Sequence, residues 1–82
     1  MIQTVEQLKA VLEAMDGSHF DWHYRTYRHN FGGNKDFFCV YGKTEVLTHL
    51  YGLMDWTLHA ILWKAGKDDN DTATIMIPVH NK

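Results

Sequence analysis

The residues that could do chemistry crowd into one stretch. His19 to Tyr41 reads HFDWHYRTYRHNFGGNKDFFCVY and holds eight of the eleven aromatic rings, three of the six histidines, both arginines and the single cysteine. Metal binding is the first chemistry such a set brings up. His19 and His23 fall at strand spacing, which separates them by about 13 Å, too far for one ion. Asp21 and His23 are close enough to share a metal, but a zinc-type site needs about four ligands. The chain has no C-x-x-C and no H-E-x-x-H pattern. Histidines on a solvated strand face are the expected arrangement, with no metal and no cofactor.

Nucleophilic catalysis would rest on Cys39. It needs a stabilised thiolate and an oriented base, and the spacing ties no histidine to it. A lone cysteine between Phe38 and Val40 reads as a small hydrophobe. Asp68, Asp69 and Asp71 resemble a fragment of a calcium loop, but the closing glutamate is missing. Gly32-Gly33 is followed by no lysine and hydroxyl pair of the phosphate-loop kind. No catalytic set assembles, and the protein is expected not to be an enzyme.

Recognition is the chemistry that remains. Tyrosine, tryptophan and arginine dominate binding energetics at interfaces. The candidate contact residues are His23, Arg25, Tyr27, Arg28 and His29 in the aromatic stretch, with Trp56 and Trp63 further on. Single-stranded nucleic acid is the alternative ligand, because rings interleaved with Arg25, Arg28, Lys35 and Lys43 could stack bases and hold phosphates. The segment Lys35 to Tyr41 lacks the glycine–aromatic order of an RNA-recognition strand, and Asp36 sets a negative charge beside it. Net charge is −2, which disfavours a dedicated phosphate binder. That charge is uneven: the aromatic stretch is basic, and the segments on either side of it are acidic.

These residues need a scaffold, and 82 residues provide one domain, spanning 1–82. Such a chain has room for one small core and little for a deep cleft. Val5, Leu8, Val11, Leu12 and Met15 form the apolar stripe of a first helix, Thr4 to Met15. Thr4 and Gln7 make a capping box, and Asp16-Gly17 ends the helix. From His19 to His29 the period changes to two. Phe20, Trp22, Tyr24, Thr26 and Arg28 share the core face; His19, Asp21, His23, Arg25, Tyr27 and His29 share the outer one. Asn30 to Lys35 is a turn cluster, and Asp36 to Tyr41 is the returning strand of a hairpin.

From Thr44 onward two readings compete. Val46, Leu47, Leu50, Leu53, Met54, Thr57, Leu58, Ile61 and Leu62 lie on one face of a long helix ending at Gly66. This periodicity carries the preferred reading, and it places Trp56 and Trp63 together on the polar side near His49 and His59 as a contact or homodimer seam. Alternatively the helix stops at Gly52 and residues 56–64 form a strand, paired through the acidic turn at 67–71 with Thr72 to Val79. A weak echo at constant offset, Glu6 with Glu45, Leu8 with Leu47 and Met15 with Met54, favours this second order. Either way the fold class is α+β, a small antiparallel sheet of three or four strands packed against two helices. The order is α-β-β-α-β, or alternatively α-β-β-α-β-β.

No apolar run reaches the roughly 18 residues of a membrane span, and the N-terminus does not read as a signal peptide. With one cysteine, a reducing, cytoplasmic setting is expected. The functional expectation is a small protein-binding module of inhibitor or adaptor type, with the profile of a viral or mobile-element protein. It would occlude an unidentified partner through its aromatic, arginine and histidine surface.

Overall fold

The computed structural model describes residues 1–15, 20–29, 33–64 and 71–79. Helix α1 (Val5–Ala14) leads into the hairpin β1 (Phe20–His29) and β2 (Gly33–Lys43). Helix α2 (Thr44–Gly52) follows, then a 3-10 turn at Trp56–Leu58, then β3 (Ile61–Lys64) and β4 (Thr72–Val79). The four strands form one antiparallel sheet in the order β1-β2-β4-β3. The fold is thus α+β with two helices and four strands, in the order α-β-β-α-β-β. It consists of two helix–strand–strand units whose second strands pair at the centre of the sheet.

Helix α1 forms where its cap and stripe place it. The Thr4 hydroxyl accepts from the Gln7 amide at 3.1 Å, and Gln7 Oε1 accepts in return from the amides of Thr4 and Gln3. These bonds satisfy amides that a helix start leaves open. Leu8 and Leu12 are fully buried, with Val5, Val11 and Met15 packed beside them. The stop at Asp16-Gly17, His19 and the acidic turn at 68–71, apart from Asp71, lie outside the described residues.

The core lies between the helices and one face of the sheet. Phe38 and Val40 of β2, Ala73, Ile75 and Ile77 of β4, and Leu47 and Leu50 of α2 are all buried in it. Strand alternation sets this directly: β2 contributes its even positions and β4 its odd ones, and the register Phe38↔Ile77, Val40↔Ile75 puts them side by side. Among the described side chains of β1 only Phe20 is buried, and Trp22 is half-buried. Tyr24, expected in the core, is 50% exposed. It packs edge-on against Phe38 at 5.1 Å with the Lys9 ammonium 4.5 Å above its ring, so it closes the rim of the core.

Two boundaries differ from expectation. The turn cluster is shorter than predicted, because Gly33, Asn34 and Lys35 pair with β1 as part of β2. Gly33 carries a positive φ of 75°, which glycine adopts without a Cβ clash. The larger correction concerns the long helix, which does not form. Ile2 enters as a parallel bridge to Met54. Its amide donates to the Leu53 carbonyl at 2.7 Å, and its carbonyl accepts from the Asp55 amide at 2.7 Å. In a continued helix those two groups would bond within the helix. The Thr57 amide and hydroxyl turn instead to the Asp55 carboxylate. His59 then takes a left-handed conformation, φ 53°, which redirects the chain into β3. The stripe that suggested a helix is split: Leu58 is buried, while Leu53 and Ile61 are each more than two-fifths exposed.

No helix among the described residues is long and apolar enough to cross a membrane.

This packing sets the expected stability effects. Phe38→Ala should cost about 3–5 kcal/mol, most of what so small a domain has, whereas Trp63→Ala should stay within about 0.5 kcal/mol; thermal melts followed by circular dichroism compare them directly. Ile2→Pro removes the amide that the Leu53 carbonyl accepts and should cost about 1–3 kcal/mol. Hydrogen exchange should show the lost protection first in β3, and unchanged protection there would contradict the role given to Ile2.

Candidate functional site: the helix-free face of the sheet

Both helices pack against the same face of the sheet, and among the described residues no helix covers the other. Uninterrupted register decides which side chains lie on that open face. They are Asp21, His23, Arg25 and Tyr27 from β1; Lys35, Phe37, Cys39, Tyr41 and Lys43 from β2; Thr74, Met76 and Pro78 from β4; and Ile61 and Trp63 from β3. Aligned rows cross the sheet, for example His23↔Cys39↔Met76↔Ile61 and Asp21↔Tyr41↔Thr74↔Trp63. The centre of the face is apolar and its ends are charged.

Tyr41 organises the β1 side. Its hydroxyl accepts from Arg25 Nη1 at 2.9 Å. The His23 ring stacks on it with centroids 5.1 Å apart and planes at 26°. The Arg25 guanidinium also lies 6.0 Å from the Tyr27 ring centroid, and Tyr27 meets Phe37 edge-on at 5.5 Å. Arg25 is therefore held by two tyrosines while remaining exposed. Its pKa is raised, first by the hydrogen bond to Tyr41. Its charge is in any case constant at working pH.

Beneath this cluster Cys39 is completely buried. Burial pushes its thiol pKa up, against a weaker lowering by a hydrogen bond with Tyr41 and by the Arg25 charge. A covered thiol held in its protonated form is a poor nucleophile, so the cluster has the composition of a Cys–His pair without its chemistry. Among the described residues, no three histidine, cysteine or carboxylate side chains converge in a way that could hold a metal ion. A shallow groove between the helices is lined by Met15, Glu45, Val46, Thr48 and His49. Glu45 and His49 stand one turn apart there, and among the described residues no other titratable group lines it.

The predicted contact residues divide. His23, Arg25 and Tyr27 are brought together on the open face, and Trp63 joins them across the sheet, 57% exposed. Trp63 gets there as a strand residue. Trp56 is 78% exposed on the 3-10 turn, edge-on to His59 at 6.4 Å. The two tryptophans lie on different elements, and the shared helical seam does not exist. Arg28 and His29 belong to β1, but their side chains lie outside the described ones. Phe37, Tyr41, Ile61 and Met76 were missed as site residues; alternation along β2 and β4 carried the signal, but only the strand order places them beside Arg25.

Tyr41, like Cys39, has its pKa raised by burial. The folded protein therefore keeps both protons at pH values where the unfolded chain has begun to lose them. Stability should fall as pH rises above about 8.5. Cys39→Ala should remove the thiol's share of that fall. Urea midpoints from neutral to alkaline pH measure it, and an equally steep loss in the variant would refute the assignment.

Comparison with protein-family models, with curated proteins and with solved structures finds no match for this chain, so a functional reading rests on the geometry of this face.

Proposed function

We propose that the protein is a non-enzymatic binding module of inhibitor or adaptor type. It docks a partner protein on the helix-free face of its sheet and occludes that partner's surface. The carrying observation is the arrangement of that face. Phe37, Met76, Pro78 and Ile61 form a half-open apolar centre, with Arg25, Lys35, Lys43 and Asp21 around it and Tyr27 and Trp63 at opposite edges. An apolar middle within a polar rim, with tyrosine, tryptophan and arginine anchors, is the anatomy of a protein interface. The face crosses four strands, about 14 Å between outer strands and about 35 Å along the longest, roughly 500 Å² in plan and so at the small end of docking patches. A reducing cytoplasmic setting, and a viral or mobile-element origin for so small an occluding protein, complete the proposal.

One observation favours a second reading. Asp36, whose charge seemed to stand in the way of phosphate, belongs to the helix-side face, where Thr26 donates to its carboxylate at 2.6 Å. The open face is then basic as well as aromatic, and single-stranded nucleic acid becomes a ligand it could hold. The aliphatic centre and the engagement of Phe37 and Tyr41 in ring pairs favour protein, because base stacking needs free ring faces.

Affinity capture from lysate with mass spectrometry, run in parallel on the wild type, Tyr27→Ala and Trp63→Ala, tests the reading. One protein should be retained by the wild type and lost, by about 10-fold or more, from both variants while their circular dichroism stays native. Recovery of nucleic acid that falls steeply with salt would instead establish the second reading.

A further inference from the structure

The docking reading leaves the partner's chemistry open, and Arg25 narrows it. We propose, resting on that reading, that the partner presents an extended acidic segment: one carboxylate is received by Arg25, and a bulky apolar residue about four positions along covers Ile61 and Met76.

Three observations lead there. First, Arg25 is positioned without being neutralised. One of its five N–H groups is committed to Tyr41 and its plane lies by the Tyr27 ring. Among the described residues no carboxylate pairs with it. A guanidinium already fixed by neighbours loses less freedom when it forms a bidentate pair. Second, charge is segregated between the two layers. Among the described residues, the open face exposes Arg25, Lys35 and Lys43 against the carboxylate of Asp21, whereas the helices expose Glu6, Glu13 and Glu45 against the half-buried Lys9, with Lys64 at the sheet's edge on that side. A chain of net charge −2 thus offers a basic face, and complementary potential selects an acidic partner. Third, distance sets the spacing. The point midway between Met76 and Ile61 lies two and a half strand spacings across the sheet from Arg25 and two residues along it, about 14 Å in all, which an extended segment crosses in about four residues.

The same charges select against other occupants. Two copies meeting sheet to sheet would bring two basic faces together, a like-charge contact. The apolar row Met76–Ile61 gives nucleic acid no ring on which to stack.

Selection from a phage-displayed library of random dodecapeptides on the immobilised full chain tests the proposal. Enriched peptides should carry Asp or Glu with a bulky apolar residue about four positions away. A synthetic peptide of that sequence should bind at least about 10-fold more weakly to Arg25→Ala, and Arg25→Lys should recover only part of the loss. Replacing the peptide's acid by its amide should cost wild type about the same and cost Arg25→Ala little, a non-additivity that general destabilisation does not produce. Enriched peptides that are neutral or basic, or that bind Arg25→Ala unchanged yet lose binding to Trp63→Ala, overturn the acidic assignment and leave the docking reading standing. An empty selection overturns both, as does binding of a ten-residue oligothymidylate in place of peptide. Self-association abolished by Trp63→Ala in sedimentation overturns the acidic partner in favour of a second copy.

Discussion

The short parallel bridge between Ile2 and Met54 decides the second half of the fold. Two hydrogen bonds, from Ile2 to Leu53 and from Asp55 to Ile2, take the backbone groups that a helix through this point would need for itself. Helix propagation gains one bond per residue only while each carbonyl is free for the amide four residues on. With those groups engaged, α2 ends, the Asp55 carboxylate collects Thr57, and the chain is released into β3. Ile2 is itself 6% exposed within the core, so the bridge is protected from competing water. The fourth strand and the position of Trp63 depend on it.

From that strand order follows the division of the molecule into two unlike surfaces. Both helices cover one face of the sheet, and among the described residues no helix covers the other. An antiparallel sheet can leave one face to water, and here the charges of the described residues are sorted by layer, basic over the open face and acidic over the helices. The Tyr41 cluster shows how an exposed face can remain ordered without a cover. Arg25 and His23 lie against one ring, and His23 and Met76 flank the buried Cys39 in register. The same cluster that lies over the cysteine holds the arginine in place at the surface.

Much of the first half was legible in order of sequence. The capping box at Thr4 and Gln7, the stripe through Leu8 and Leu12, and the two-residue period of β1 are local signals, set by neighbours within one turn or one pleat. Alternation separated His23, Arg25 and Tyr27 from Phe20 and Trp22, as the structure does. It erred at Tyr24, because whether a core-facing ring is covered depends on how far the helix layer reaches, and α1 covers only the start of the strand. The long-helix preference failed for the same kind of reason: the periodicity from Val46 to Leu62 is real, but a residue at the far end of the chain competes for the backbone beneath it.

The amino-acid sequence by itself determined the α+β class, the first helix and hairpin, and which side chains of β1 share a face. Only the tertiary structure decided that residues 61–64 are a strand, that Tyr41 rather than a carboxylate holds Arg25, and that Trp63 belongs with Arg25 while Trp56 does not. Alternation and capping are fixed by adjacent residues, whereas strand order, register and the bridge at Ile2 are contacts between distant ones, settled by whichever set of non-local hydrogen bonds and buried surfaces is mutually consistent.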